Sequence, residues 1–207
     1  MRENESRAWE KAYRNRPRLW AGAAGSLPDP VPGGRVLELG CGNAVTLSAL
    51  VRMGWEAIAL DFSATAVRSA HALLRDTPAG DAVVADAHTI PLVPASVSAV
   101  VARHVLGHMT PDDRNEAACE ILRVLRPGGM LYFSEFSTED FRFGQGTKTG
   151  EGTYLRGTGI STHYFTEPEV LELFSSLAPV HLETQRWKIR IRGSDVPRAG
   201  IHAVFQK

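Results

Sequence analysis

Residues 35–44, reading R-V-L-E-L-G-C-G-N-A, constrain this chain more than any other stretch. An apolar run with one acid, Glu38, ends in a Gly-x-Gly turn, and a helical pattern follows over Ala44–Met53. A strand, a glycine turn and a helix in that order form the cradle in which open α/β sheets hold a nucleoside cofactor. Backbone at Gly40 and Gly42 can approach a ligand that a Cβ would keep away.

The rest of the chain repeats the alternation. Strands are expected near 35–39, 56–61, 81–85, 97–102 and 129–136, with helices near 44–53, 63–74 and 111–125. That spacing implies βαβ units, a parallel sheet and helices on both faces, a doubly wound α/β fold of Rossmann-like type. Asn4–Asn15 reads as a short amphipathic helix with Trp9 and Tyr13 one turn apart. Thr110-Pro111-Asp112-Asp113 supplies an N-cap, a first-turn proline and acids for the positive helix end. Thr166-Glu167-Pro168-Glu169 opens another helix, running to about Ser176. Two closing strands, turned by a hairpin around Gly193–Pro197, would finish a mostly parallel sheet with antiparallel pairing. Residues 137–165 are rich in glycine and weakly periodic, and are expected to form a long connection acting as a lid or substrate insertion. One domain over 1–207 follows, with an N-terminal helix and loop over 1–33.

Composition sets limits. The formal net charge is zero, so global charge does not announce a nucleic-acid binder. Basic residues do cluster in 1–20 and beyond Arg186, either as solvated faces or as a patch for a polyanion. Cys41 and Cys119 make no disulfide framework. No apolar run nears the roughly 18–20 residues of a membrane span, and the N-terminus lacks a signal-peptide core. A cytoplasmic protein with no membrane partner is expected.

The cofactor can be narrowed. A dinucleotide fingerprint wants a third glycine where this chain has Val45, and no phosphate-binding Gly-Lys-Ser/Thr follows. Asp61, ending the second strand, is placed to hold ribose hydroxyls. Asp86, ending the third in V-V-A-D-A-H, could accept from an adenine amino group. Glu38, Asp61 and Asp86 would gather at one sheet edge, repelling a diphosphate but suiting a ligand with a ribose, an ammonium and a sulfonium. As alternatives, Asp61 could merely cap a helix and Asp86 shape a turn. Cys41 reads as a small residue beside the cofactor. His104 and His108, at i and i+4, could share a helical turn as metal ligands, but no third ligand cluster accompanies them, so no metal is expected.

Together V-L-E-L-G-C-G-N-A, A-L-D-F-S, A-D-A-H, V-S-A-V-V-A-R-H-V-L-G-H-M and L-R-V-L-R-P-G-G-M-L-Y-F-S-E, spread over about 34–137, resemble the class I methyltransferases that use S-adenosylmethionine (SAM). The resemblance implies a seven-stranded sheet with a reversed last strand. It also implies SAM as cofactor, held by Glu38, Gly40, Cys41, Gly42, Asp61, Phe62, Asp86, Ala87 and Arg103. His104, after the fourth strand, becomes a pocket residue and candidate base.

The acceptor is less defined. The resemblance places acceptor contacts on the N-terminal helix (Trp9, Tyr13), on Trp20 and in 137–165. G-E-G-T-Y-L-R-G-T-G-I-S-T-H-Y-F-T-E-P-E-V is similar to a pattern in methyltransferase-like proteins that make 3-methylcytidine in tRNA, as is R-W-K-I-R-I-R. Those relatives use added RNA-binding elements, and this chain is neutral overall, so a shared pocket is expected more than a shared substrate. A small-molecule acceptor is expected, with RNA or a protein side chain as the alternatives. Arg156 would anchor an anionic group, and Tyr154, Tyr164 and Phe165 would enclose the acceptor. Outside that class stand a nucleotide-binding oxidoreductase and a SAM-fold scaffold without catalysis.

Overall fold

The computed structural model describes residues 3–15, 27–75, 80–157, 159–191 and 193–207. Trp20 lies outside them. Helix α1 spans Glu3–Asn15. Then β1 (Arg35–Leu39), α2 (Val45–Met53), β2 (Glu56–Asp61), α3 (Ala64–Leu74) and β3 (Gly80–Val84) alternate, followed by β4 (Val97–Arg103). A 3-10 turn at Leu106–His108 leads into α4 (Pro111–Val124) and β5 (Leu125–Phe136). After β6 (Thr147–Gly150), β7 (Thr153–Leu155), β8 (Ser161–His163) and α5 (Glu167–Leu173), the chain closes with β9 (Ala178–Ile191) and β10 (Ser194–Gln206).

The main sheet has seven strands in the order β3-β2-β1-β4-β5-β10-β9. The strands β1 to β5 run parallel, and β10 enters antiparallel between β5 and β9. Strand order reverses beside β1, and a reversal of this kind opens a crevice at the carboxyl ends of the strands. Alternation along the strands sends side chains to opposite faces. Leu37 and Leu39 join a core with Ile121 of α4, Val170 of α5 and Phe174 just after it, whereas Val36 joins one with Leu47, Leu50, Val67 and Ala70 of α2 and α3.

Local chemistry accounts for the helix starts. Thr110 caps α4 by accepting from Asp113 N–H, Asp113 returns a bond to Thr110 N–H, and Pro111 costs nothing at the first position. Ser63 caps α3 by accepting from Ala66 N–H at 3.2 Å.

Three expectations are corrected. The hairpin turn is tighter than the stretch Gly193–Pro197: Ser194 already pairs with Ile191, and Pro197 sits inside β10 opposite Lys188. Residues 137–165 are not a plain connection, because β6, β7 and β8 form a separate antiparallel sheet. Its strands are too short to show a period, and positive-φ glycines at 146, 152 and 159 set its corners. Finally, His104 and His108 share no helical turn, since His104 adopts φ 53° ahead of the 3-10 turn.

Candidate active site

The glycine turn sits where the strand order reverses. A Cβ on Gly40 would stand 2.8 Å from Val105 Cγ2, and one on Gly42 3.0 Å from the Tyr13 hydroxyl, both residues having positive φ. Asp61 braces this turn. Its Oδ2 accepts from Gly42 N–H at 2.9 Å and its Oδ1 from Ser63 N–H at 2.9 Å. Burial raises the Asp61 carboxyl above its usual range against the pull of those two donors.

Two clefts meet at Trp9, Tyr13, Gly40 and His104. The first is narrow and mostly apolar, and runs past Leu60, Asp61, Phe62, Asp86 and Ala87. The second holds about 520 Å³. It begins at Glu38, Gly42 and Thr46 and ends among Phe136, Trp187, Ile189, Arg198 and His202. Glu38 is the carboxylate residue lining this second cleft among the described residues.

In that cleft Glu38 Oε2 and Arg103 Nη1 are buried with no hydrogen-bond partner. Glu38 ends up 4% exposed. Burial, and then the charge of Asp61, push its carboxyl up to about 8, opposed by the Thr46 hydroxyl and by Arg103. A buried carboxylate oxygen and a buried guanidinium nitrogen left without partners are costly. An amino-acid zwitterion matches both, with its ammonium on Glu38 and its carboxylate on Arg103. Asp61 and Asp86 stand along the first cleft for a ribose and a base, so the residues present fit SAM.

Helix α1 roofs the join. Trp9 and Tyr13 stack at 5.6 Å, and Trp9 meets the edge of His108 at 4.8 Å. Glu10 latches the helix to the start of α3, accepting from Ser63 Oγ and Thr65 Oγ1 at 2.5 Å each. Burial works against the charge of Glu10, but these bonds win and lower its carboxyl to about 2.

The acceptor end draws on distant segments. His104 stacks on Phe136 with ring centroids 4.2 Å apart. Asp140, fully buried, accepts from Arg142 Nε at 2.8 Å and Arg198 Nε at 2.6 Å, and both guanidiniums lie over the Phe136 ring. Ser134 Oγ lies 3.2 Å from His202 Nδ1. Burial, then the charges of Arg103 and His104, hold His202 below its usual range, which keeps it neutral at pH 7.

The structure brings together Trp9, Tyr13, Glu38, Gly40, Cys41, Gly42, Asp61, Phe62, Asp86, Ala87, Arg103 and His104. Four other expected residues stand back from these clefts. Phe165 packs in the core, edge-on to Phe133 at 5.5 Å. Tyr164 is buried against Phe136, Phe143 and Tyr154. Tyr154 belongs to β7, and Arg156 to the turn after it, where its charge reaches Tyr164. Arg198, Trp187, Gln185, His202, Ser134, Phe136 and Thr46 line the second cleft without having been singled out. The alternation of Gln185, Trp187 and Ile189 with Arg186, Lys188 and Arg190 was the signal available for the β9 residues.

Residues 37–133 match the family model described as "Methyltransferase domain". Over that segment the chain is similar to methyltransferase domains, and its fold is that of class I methyltransferase structures. The domain is 30% identical over 158 residues to the zebrafish (Danio rerio) tRNA N(3)-cytidine methyltransferase METTL2, an alignment covering 69% of this chain and 44% of that protein. It is 28% identical over 190 residues to O-methyltransferase 3 of Dictyostelium discoideum, covering 83% of this chain and 43% of that protein. The chain thus spans less than half the length of these curated relatives. In fold it is similar to a SAM-dependent methyltransferase structure from Methanosarcina mazei, with a TM-score of 0.70 and 22% identity, covering 87% of this chain and 94% of that one. No helix among the described residues is long and apolar enough to cross a membrane.

Proposed function

We propose that this domain transfers the methyl group of SAM to a small planar acceptor bound between Phe136, Trp187 and Ile189. One observation carries this reading: the unpartnered Glu38 Oε2 and Arg103 Nη1 open into the same cleft that ends in an aromatic, cation-edged chamber. Bound SAM supplies a sulfonium-activated methyl group, so the chain's own work is orientation and proton removal. Glu38 and Arg103 hold the amino-acid end of the cofactor, while Asp61 and Asp86 hold its nucleoside. Trp9 and Tyr13 exclude water from above. His104, at the join of the two clefts, takes a proton from the acceptor. Tyr154 and Arg156 support the chamber through the ring contacts of Tyr164 with Phe136.

Calorimetry with SAM and with NAD tests the cofactor half. SAM binding without NAD binding supports the reading, and the reverse removes it. Methyl transfer from radiolabelled SAM into pooled planar metabolites tests the acceptor half.

A second reading has its own support. Arg186, Lys188 and Arg190 project from the face of β9 opposite Trp187, and METTL2 acts on tRNA by its name. Label appearing in total tRNA, but in no small acceptor, would favour RNA.

A further inference from the structure

Glu135, next to last in β5, has 1% of its surface exposed, yet it is neither a core hydrophobe nor a group the cofactor needs. A carboxylate is kept in such a place only when something there uses it. Its Oε1 accepts from Gly107 N–H at 2.9 Å. Its Oε2 lies 3.7 Å from His104 Nδ1, within ion-pair reach. Position 107 leaves room for this arrangement, since a Cβ there would stand 2.8 Å from Glu135 Oε2.

His104 is itself unusually constrained. Its φ of 53° is a left-handed conformation that a non-glycine residue holds only when its surroundings enforce it. Its N–H donates to Ser134 O at 2.9 Å, and its ring lies flat on Phe136 with an interplanar angle of 19°. A strained backbone, a stacked ring and a buried acid 3.7 Å from Nδ1 constrain one imidazole where the two clefts meet.

We propose that Glu135 is a positioning residue that keeps the His104 proton on Nδ1, leaving Nε2 to accept a proton, so that the methyl acceptor is an aromatic or enol-type hydroxyl. This rests on the reading of the second cleft as the acceptor site. A ring nitrogen or thioether with an available lone pair loses no proton on methylation, and a histidine backed by a buried carboxylate would do nothing for it. A hydroxyl does lose one. The acceptor oxygen gives its proton to His104 Nε2 and forms the new O–C bond. The C–S bond that breaks leaves its electron pair on sulfur, so the cofactor's positive charge becomes the imidazolium's and then a proton in solvent. Glu135 stabilises that imidazolium. Arg198, on the same cleft, faces the charge that develops on oxygen. The other charged or titratable groups around His104 are Arg103 beside it, Tyr13 from α1, Glu38 from β1, Cys41 from the glycine turn, His202 from β10 and His108 from the 3-10 turn, with Asp61 and Asp86 along the first cleft.

Nitrogen-15 NMR of the histidine-labelled chain, saturated with S-adenosylhomocysteine, tests this. His104 is assigned by the signal lost in His104→Gln. The expected result is a neutral ring protonated at Nδ1. In Glu135→Gln, Gly107 N–H keeps the amide oxygen, so the amide NH2 faces Nδ1 and the proton moves to Nε2. Gly107→Ala, which displaces the carboxylate while keeping it, gives the same loss of preference, and Glu135→Asp restores part of it. S-adenosylhomocysteine affinity stays within about twofold in these variants, as expected for a site that the cofactor does not touch. Protonation at Nε2 in the parent chain, or an unchanged tautomer in both Glu135→Gln and Gly107→Ala, overturns the proposal. Failure of the parent chain to bind S-adenosylhomocysteine instead overturns the methyltransferase reading on which it rests.

Discussion

The two ends of the long cleft are built differently. The cofactor end comes from β1, β2 and the turns that follow them, within a segment in which each acid lies at or near the end of a strand. The acceptor end takes Ser134 and Phe136 from β5, Trp187 from β9, and Arg198 and His202 from β10, which meet only because β10 threads antiparallel between β5 and β9. The first end offers carboxylates and bare backbone. The second offers rings and guanidiniums. A site assembled from consecutive βαβ units can keep one ligand while a site assembled from distant strands is rebuilt around another.

Substitutions should separate the two ends. The largest effect belongs to Glu38→Gln, which leaves the cofactor ammonium and Arg103 without their carboxylate. SAM affinity should fall by about 100-fold or more, read by calorimetry, whereas Trp187→Ala should leave it within about twofold. Equal losses in both variants would mean that the ends are not independent.

Next come Trp187→Ala and Arg198→Ala. Each should lower kcat/KM for the true acceptor about tenfold or more through lost ring contact and lost charge. Unchanged turnover would take the chamber out of acceptor binding.

The pH dependence follows from Glu38, whose carboxyl is raised to about 8 in the folded protein from an ordinary value of 4.5. Its contribution to stability is fully present below the unfolded value and is lost as pH rises through the folded one, because the native state binds the extra proton in between. The thermal midpoint of the free protein should therefore fall between pH 6 and pH 9, and Glu38→Gln should remove that fall. SAM affinity should rise over the same interval, since the cofactor's ammonium favours the ionised acid. A midpoint that climbs toward pH 9 in the parent chain would contradict the burial of Glu38.

The smallest effect belongs to Glu10→Ala. Losing the latch onto Ser63 and Thr65 should weaken SAM binding about fivefold, mainly through a faster off-rate, with no change in the core's thermal midpoint. An unaltered off-rate would show that α1 does not roof the bound cofactor.

The legibility of the site follows the same division. Glu38, Gly40, Gly42, Asp61 and Asp86 could be read because each lies at or just past the end of a strand whose pattern is visible. Phe165 misled for the converse reason. An aromatic residue beside Tyr164 reads the same whether it faces a pocket or the core, and the packing against Phe133 and His163 decided for the core. Glu135 closes a strand motif without any local sign of its role, and its use depends on Gly107, 28 residues away.

The sequence alone therefore determined the doubly wound sheet, the place of the glycine turn and the acids that a SAM-type ligand needs. These rest on local periodicity, turn chemistry and residues near strand ends. The tertiary structure alone decided what meets beside the glycine turn: the stacked and strained His104, Glu135 behind it, and the chamber of Phe136, Trp187 and Arg198. Those contacts join β4, β5, β9 and β10 across up to about a hundred residues of chain, where strand order and side-chain direction, rather than any local pattern, choose the neighbours.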